Sequence, residues 1–356
     1  MNAVERPEPP AERPDWWIYR GTGRPLAGAS LADLLPPAPP WRAFHGGPLP
    51  QDDAVPQDEG EADRRLGSEH RLPARHVDPH EIDMVNAALY LRRPLLVTGR
   101  PGSGKSSLAY RVARELCLGR VLRWPITSHT TLKGGLYNYD AIGRAQAAGA
   151  RFADRRDGDQ EPPIGEYLRL GELGTVFLPR RQPRVLLIDE LDKSEADLPN
   201  DLLSLFEDGE FVIPELVRVR SRAREVEVFT ADPDATATVV DGRVRCAAFP
   251  FVVITSNGDR DFPPAFLRRC LRLEIKDPDI EQLSAMVAAH ALDPRDTHRS
   301  RIIEEFVSRS EAYGGLPVDK LLEAVYLATS GAYHDEGESW PRLVDALWRQ
   351  LNSVVP

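Results

Sequence analysis

The sequence predicts an α/β domain built on a parallel sheet, with a small all-α domain after it. Three observations carry this reading. Five apolar runs, Pro94 to Thr98, Val121 to Trp124, Val185 to Ile188, Phe251 to Ile254 and Leu271 to Ile275, are short and bounded by turns or helical patterns, as strands buried on both faces are. Helical periodicity flanks the first of them, at Glu81 to Leu91 and from Ser106 to Leu118. After Ile275 strand patterns stop, and helical spacing recurs at Ile280 to Ala291, Arg301 to Arg309, Val318 to Ala328 and Trp340 to Leu351.

Taken in chain order, residues 1–75 come first. They hold 13 of the 32 prolines, with 9 arginines and 12 acidic residues, a composition too poor in apolar surface to fold alone. They are expected to form a proline-rich, largely disordered tail. Two islands within it, Asp15 to Arg20 with its Trp16-Trp17 pair and Leu31 to Trp41 with its Pro-Pro-Ala-Pro-Pro-Trp run, either dock on the folded body or a partner or do nothing specific. Residues 76–276 then form the α/β domain and residues 277–356 the helical one. Between the third and fourth apolar runs, Val217 to Arg220, Val226 to Val228 and Val239 to Val244 carry alternating or strand-like patterns. The Asp241-Gly242 pair among them is a hairpin signal, so a two-stranded excursion from the main sheet is expected.

The strongest chemical signal is Gly99-Arg100-Pro101-Gly102-Ser103-Gly104-Lys105-Ser106, set between a strand-like run and a helix. Its glycines let backbone amides curl around phosphates, Lys105 can reach the β and γ oxygens, Ser106 can offer a hydroxyl to Mg²⁺, and the helix that follows points its positive end at the same anion. Gly99, Pro101, Gly102, Ser103, Gly104, Lys105, Ser106 and Ser107 are therefore the expected nucleotide-holding set. Downstream, the apolar strand Val185 to Ile188 ends in Asp189-Glu190. Asp189 is placed to hold Mg²⁺ through water, and Glu190 to orient and polarise the water that attacks a γ-phosphate. Phe251 to Ile254 leads into Thr255-Ser256-Asn257, whose amide can sense the γ-phosphate. Arg268 and Arg269 follow a helical turn and stand directly before the last strand.

Together these motifs resemble AAA+ ATPases. The segments Leu186 to Glu215 and Ile254 to Ile275, with the hairpin before the Asn257 strand, resemble the MoxR branch. The resemblance covers about residues 76–330 and implies a five-stranded sheet of order 5-1-4-3-2, a helical lid, and a ring, usually of six subunits, with ATP and Mg²⁺ between neighbours. It assigns catalytic roles to Lys105, Glu190, Asn257 as first sensor and Arg269 as a finger acting across subunits, with Arg268 as fallback. In MoxR relatives an arginine of the lid senses the nucleotide. Val318 stands at that position here, which leaves Lys320 as its replacement or makes lid sensing weak and turnover slow.

Composition excludes some functions. The net charge of −10 disfavours generic nucleic-acid binding and lowers the standing of an McrB-like translocase. No run approaches the roughly 20 apolar residues of a membrane span, and the first residues lack the apolar core of a signal peptide, so a cytoplasmic protein is expected. Cys117, Cys246 and Cys270 have no paired spacing and read as reduced thiols. The loop Ser128 to Asp140, with Lys133, Gly134, Gly135, Tyr137 and Tyr139, is either a contact for a client or a packed loop with buried tyrosines. The resemblance implies a protein partner, a client to be remodelled or a von Willebrand factor A domain protein. A nucleotide-gated scaffold with slow turnover is the alternative.

Overall fold

The computed structural model describes residues 14–26, 28–50, 55–67, 78–153, 163–290, 298–313, 318–329 and 339–348. Its centre is a five-stranded parallel sheet of β1 (Leu95–Thr98), β2 (Leu122–Pro125), β3 (Val185–Asp189), β4 (Phe251–Ser256) and β5 (Leu271–Glu274), in the order β5-β1-β4-β3-β2. Leu95 pairs with Val253 and Leu271, and Ile188 with Ile254 and Trp124. Each central strand is apolar throughout because both faces are covered. Leu96, Leu186, Ile188, Val252 and Ile254 face one core, while Leu95, Val97, Val185, Leu187, Phe251 and Val253 face the other.

The second of these cores is closed by α1 (Pro79–Leu91) and α2 (Ser107–Glu115). Asp78 caps α1 through its side chain, and Pro79 at the first position presets the helical φ. Arg42 and Phe44 of the N-terminal stretch reach the other core, at Phe206 and Phe249, while its part around Ile18 and Leu31 packs on the same side as these helices. Its described residues, 14–26, 28–50 and 55–67, have little regular structure, as the composition dictates, yet they rest on the body rather than forming a free tail. Ile18, Tyr19 and Leu31 are buried in the core. The fully buried Asn86 carboxamide accepts the amides of Ile18 and Tyr19 and donates to the carbonyls of Tyr19 and Ile82. Glu115, buried at the far end of α2, accepts from the amides of Arg20 and Gly23 and from the Thr22 hydroxyl. A short helix, Glu61–Leu66, is clipped to α2 by Tyr110 Oη on Glu61, by Arg65 over the Tyr110 ring and by the Arg114–Asp63 pair. These contacts, supplied by the body, offset an ordering cost the segment could not meet alone. Residues 68–77, where the boundary near 75 was expected, lie outside the described residues.

The excursion is larger than a hairpin. Tyr137–Tyr139, Leu168–Leu170, Glu225–Phe229, Thr236–Val240, Arg243–Arg245 and Glu210–Val212 form a second sheet of six strands. Asp241 and Gly242, both at positive φ, turn the last hairpin. Val217 to Arg220 is helical instead of extended, within or just after Pro214–Val219. Pro214 starts that helix, and Leu216 and Val219 share the i, i+3 spacing that buries one helical face; over four residues this spacing and strand alternation overlap. The Ser128 to Asp140 stretch holds a helix, Leu132–Leu136, capped by Thr131, and Tyr137 is buried with its hydroxyl donating to Glu215. The packed alternative therefore holds for Tyr137. Buried Arg184, in turn, pairs with Asp232 through two 2.9 Å bonds, and Arg120 joins them, tying the second sheet to the edge of the first.

Two further helices belong to the α/β body, α3 (Leu198–Asp208) and α4 (Pro264–Arg269). Beyond β5, α5 (Ile280–His290), α6 (His298–Tyr313), α7 (Val318–Thr329) and α8 (Ser339–Trp348) share their own core around Leu283, Phe306, Leu321, Val344 and Trp348. Among the described residues no helix is long and apolar enough to cross a membrane.

Candidate nucleotide site

The site forms where the chain leaves the carboxyl ends of β1, β3 and β4. Beyond β1 the backbone enters a loop at Gly99, whose φ of 147° only glycine adopts without strain; a Cβ there would lie 2.5 Å from the Ile275 carbonyl oxygen. The Lys105 ammonium donates to the carbonyls of Gly99, at 2.8 Å, and Arg100, at 2.7 Å. Burial lowers its pKa, while Asp192, Glu190, Asp189 and Asp259 act in the opposite sense. Ser106 and Ser107 then open α2.

Asp189, at the end of β3, is the hub. Its Oδ1 accepts from Ser106 Oγ at 2.6 Å and Thr255 Oγ1 at 2.9 Å, and its Oδ2 accepts from Arg123 Nε at 3.0 Å and Nη2 at 2.7 Å. Burial alone would raise its pKa, but the bonds from Ser106, Arg123 and Thr255 outweigh it and keep the carboxyl below its ordinary range. Glu190 follows in the left-handed region, at φ 63° and ψ 51°, with its amide donating to Thr255 Oγ1 at 2.8 Å. Its half-exposed carboxylate accepts from Lys193. Asp192, buried, accepts the Asn257 and Asp259 amides on Oδ2, and its Oδ1 has no hydrogen-bond partner. That carboxylate fixes the start of the loop that carries Asn257.

Lys105, Ser106, Arg123, Asp189, Glu190, Thr255 and Asn257 line one cavity of about 470 Å³. One wall runs from Pro101 to Ser107 and on to Asp189, Glu190, Thr255 and Asn257. The lining also includes apolar Leu66, Ile275, Met286, Ala289 and Leu322 and the N-terminal turn Gly21 to Gly23, and Arg65, Arg111, Arg114 and Arg123 add cationic groups. A cavity that joins apolar side chains to a glycine-rich loop at a helix start has the mixed lining a nucleoside phosphate requires. The residues fit it: the Ser103 hydroxyl is buried in the loop without a partner, and a Cβ on Gly104 would meet nothing within 4 Å. They also fit Mg²⁺, for Ser106 and an ionised Asp189 offer adjoining oxygens. The described residues hold no cluster of three or more His, Cys, Asp or Glu that could bind a metal.

Of the expected site residues, Pro101, Gly102, Ser103, Gly104, Lys105, Ser106, Ser107, Asp189, Glu190 and Asn257 come together on this cavity, and Gly99 adjoins it through its bond to Lys105. Lys320 does not join them. On α7 it is Val318, Asp319 and Leu322 that face the cavity, while Lys320 pairs with Glu323 one turn on. The Gly314 to Pro317 stretch before it lies outside the described residues. Arg268 and Arg269 are also away from the cavity, exposed at the end of α4, where Arg269 is bonded to Glu207 and Arg93 caps the carbonyls of both arginines. Sequence reasoning missed Arg123, Thr255 and Asp192. A signal existed only for Asp192, as a third acid two residues after Glu190.

Residues 94–270 match the AAA domain (dynein-related subfamily). No curated protein matches the chain. Among solved structures, NtrX from Brucella abortus in complex with ADP is similar at 14% identity and a TM-score of 0.37, over 77% of this chain and 56% of that one. The chain thus spans just over half the length of that structure.

Proposed function

We propose, from the premise that residues 94–270 carry an AAA domain, that this chain is a MoxR-type ATPase that binds and hydrolyses ATP between subunits of a cytoplasmic ring, of six by the resemblance, and uses the cycle to remodel or activate a protein partner, such as a von Willebrand factor A domain protein. The observation that carries the ATPase reading is the meeting of Lys105, Ser106, Asp189, Glu190 and Asn257 on one cavity. Lys105 and the loop amides receive the phosphates. Ser106 and Asp189 would hold Mg²⁺, which when bound neutralises charge on the phosphate oxygens. Glu190 accepts a proton from the attacking water, Asn257 holds that water or the γ-phosphate, and Arg269 reaches the nucleotide of a neighbouring subunit.

The test is steady-state ATP hydrolysis by the parent protein, Lys105→Ala and Glu190→Gln over a protein concentration series. Turnover per subunit that rises with concentration, falls by about 100-fold or more in Glu190→Gln and disappears with nucleotide binding in Lys105→Ala is the expected result. Parent-rate hydrolysis by Glu190→Gln refutes the assignment of the water-activating group.

A second reading, a nucleotide-gated switch with slow turnover, is favoured by three side chains held elsewhere: Glu190 on Lys193, Arg269 on Glu207 and Lys320 on Glu323. Tight ATP binding with negligible turnover at every concentration would select it.

A further inference from the structure

Asp189 carries more donors than its proposed role leaves room for. A carboxylate offers about four acceptor positions, and here all four are taken, two on Oδ1 by Ser106 and Thr255 and two on Oδ2 by the Arg123 fork. A cation held directly, or through a water that must donate a hydrogen bond, needs one of these donors to leave. Thr255 is the least able to move, since it is buried in β4 and also accepts the Glu190 amide. Ser106 can keep its bond to Asp189 while its lone pairs face the cation. Arg123 differs from both. It stands on β2 at the edge of the sheet, its side chain is 40% exposed, and it lines the same cavity as Lys105, so a released guanidinium can turn to water or to the phosphate-binding volume. It is also a positive charge beside the place where a dication would be held, and the two repel.

From this geometry we infer that Arg123 and the divalent cation compete for the Asp189 carboxylate, so that Arg123 sets the concentration of Mg²⁺ the nucleotide site requires. The inference rests on the reading of Asp189 as the cation-holding group. Arg123 is on this account a positioning residue: it keeps Asp189 oriented while no metal is held, and yields when nucleotide brings one in.

The experiment measures Mn²⁺ binding to the full chain in the presence of saturating ADP, from the loss of the free-ion electron paramagnetic resonance signal, for the parent, Arg123→Ala, Arg123→Lys and Asp189→Asn. Removing a partly exposed charge-assisted fork should tighten Mn²⁺ binding by about tenfold in Arg123→Ala. Arg123→Lys, which keeps the charge and loses the fork, should fall between it and the parent, and it carries the test if Arg123→Ala does not fold. Unchanged or weaker Mn²⁺ binding in the Arg123 variants, with binding lost in Asp189→Asn, overturns the competition and leaves the site reading standing. Mn²⁺ binding unaffected by Asp189→Asn overturns both.

Discussion

Lys193 Nζ lies 2.7 Å from Glu190 Oε2, so the acid expected to activate water is tied to a cation three residues along its own loop. Both side chains are nearly half exposed, and such a pair contributes about 0.5 kcal/mol or less. It is a weak hold. Lys193→Ala should therefore raise steady-state turnover by about twofold, measured as phosphate release at saturating ATP, and a loss of about 10-fold or more would mean that Lys193 itself serves the reaction.

The Asn86 carboxamide is the most deeply buried of several clips between the N-terminal stretch and α1, which also include Trp17 on Asp83 and Tyr90 on the Trp16 carbonyl. Asn86→Ala leaves the buried amides of Ile18 and Tyr19 without an acceptor, at a cost of about 2–4 kcal/mol. Urea unfolding should show that loss, and trypsin should cut the native variant at Arg20 well before it cuts the parent there.

Asp232 supplies the pH dependence. Burial would raise its pKa, but Arg184 and Arg120 outweigh burial and hold it below the ordinary carboxylate range. Its contribution is complete above the unfolded value of about 4 and is lost as pH falls through the lower folded value. Asp232→Asn should cost about 3 kcal/mol or more at pH 7, because it strands two guanidinium groups, one of them fully buried. Urea unfolding of parent and variant at pH 7 and pH 3 should show the difference narrowing at the lower pH, and a gap that widens there would contradict the assignment.

The thiols divide by exposure. Burial pushes Cys246 and Cys270 up to about 12, whereas Cys117 is exposed. A thiol reagent at pH 8 should label Cys117 in the native protein and all three after unfolding. Labelling of Cys246 or Cys270 under native conditions would show that their cores open.

The parts legible in the sequence are those whose signals are local. Val185 to Asp189 and Phe251 to Ser256 could be read as strands because burial on both faces makes each one a continuous apolar run, and the loop around Lys105 because its glycines are demanded by its own turns. What was hidden depends on partners far along the chain. Tyr19 meets Asn86 across 67 residues, and Arg123 meets Asp189 across 66. Neither residue carries a neighbourhood that names its partner: Arg123 sits in a strand that alternates buried Leu122 and Trp124 with exposed positions, the pattern any edge strand shows. Lys320 was misplaced for a related reason, since one position along a helix rotates a side chain about 100° away from the cavity that Asp319 faces.

Finally, α2 has two occupied ends. Ser106 stands at one, in the phosphate loop, and Glu115 at the other, gripping the backbone of Arg20 and Gly23. At 1.5 Å per residue the two are separated by about 14 Å of stiff helix. One stiff helix thus joins the backbone of residues 20–23 at one end to the glycine-rich loop of Lys105 at the other.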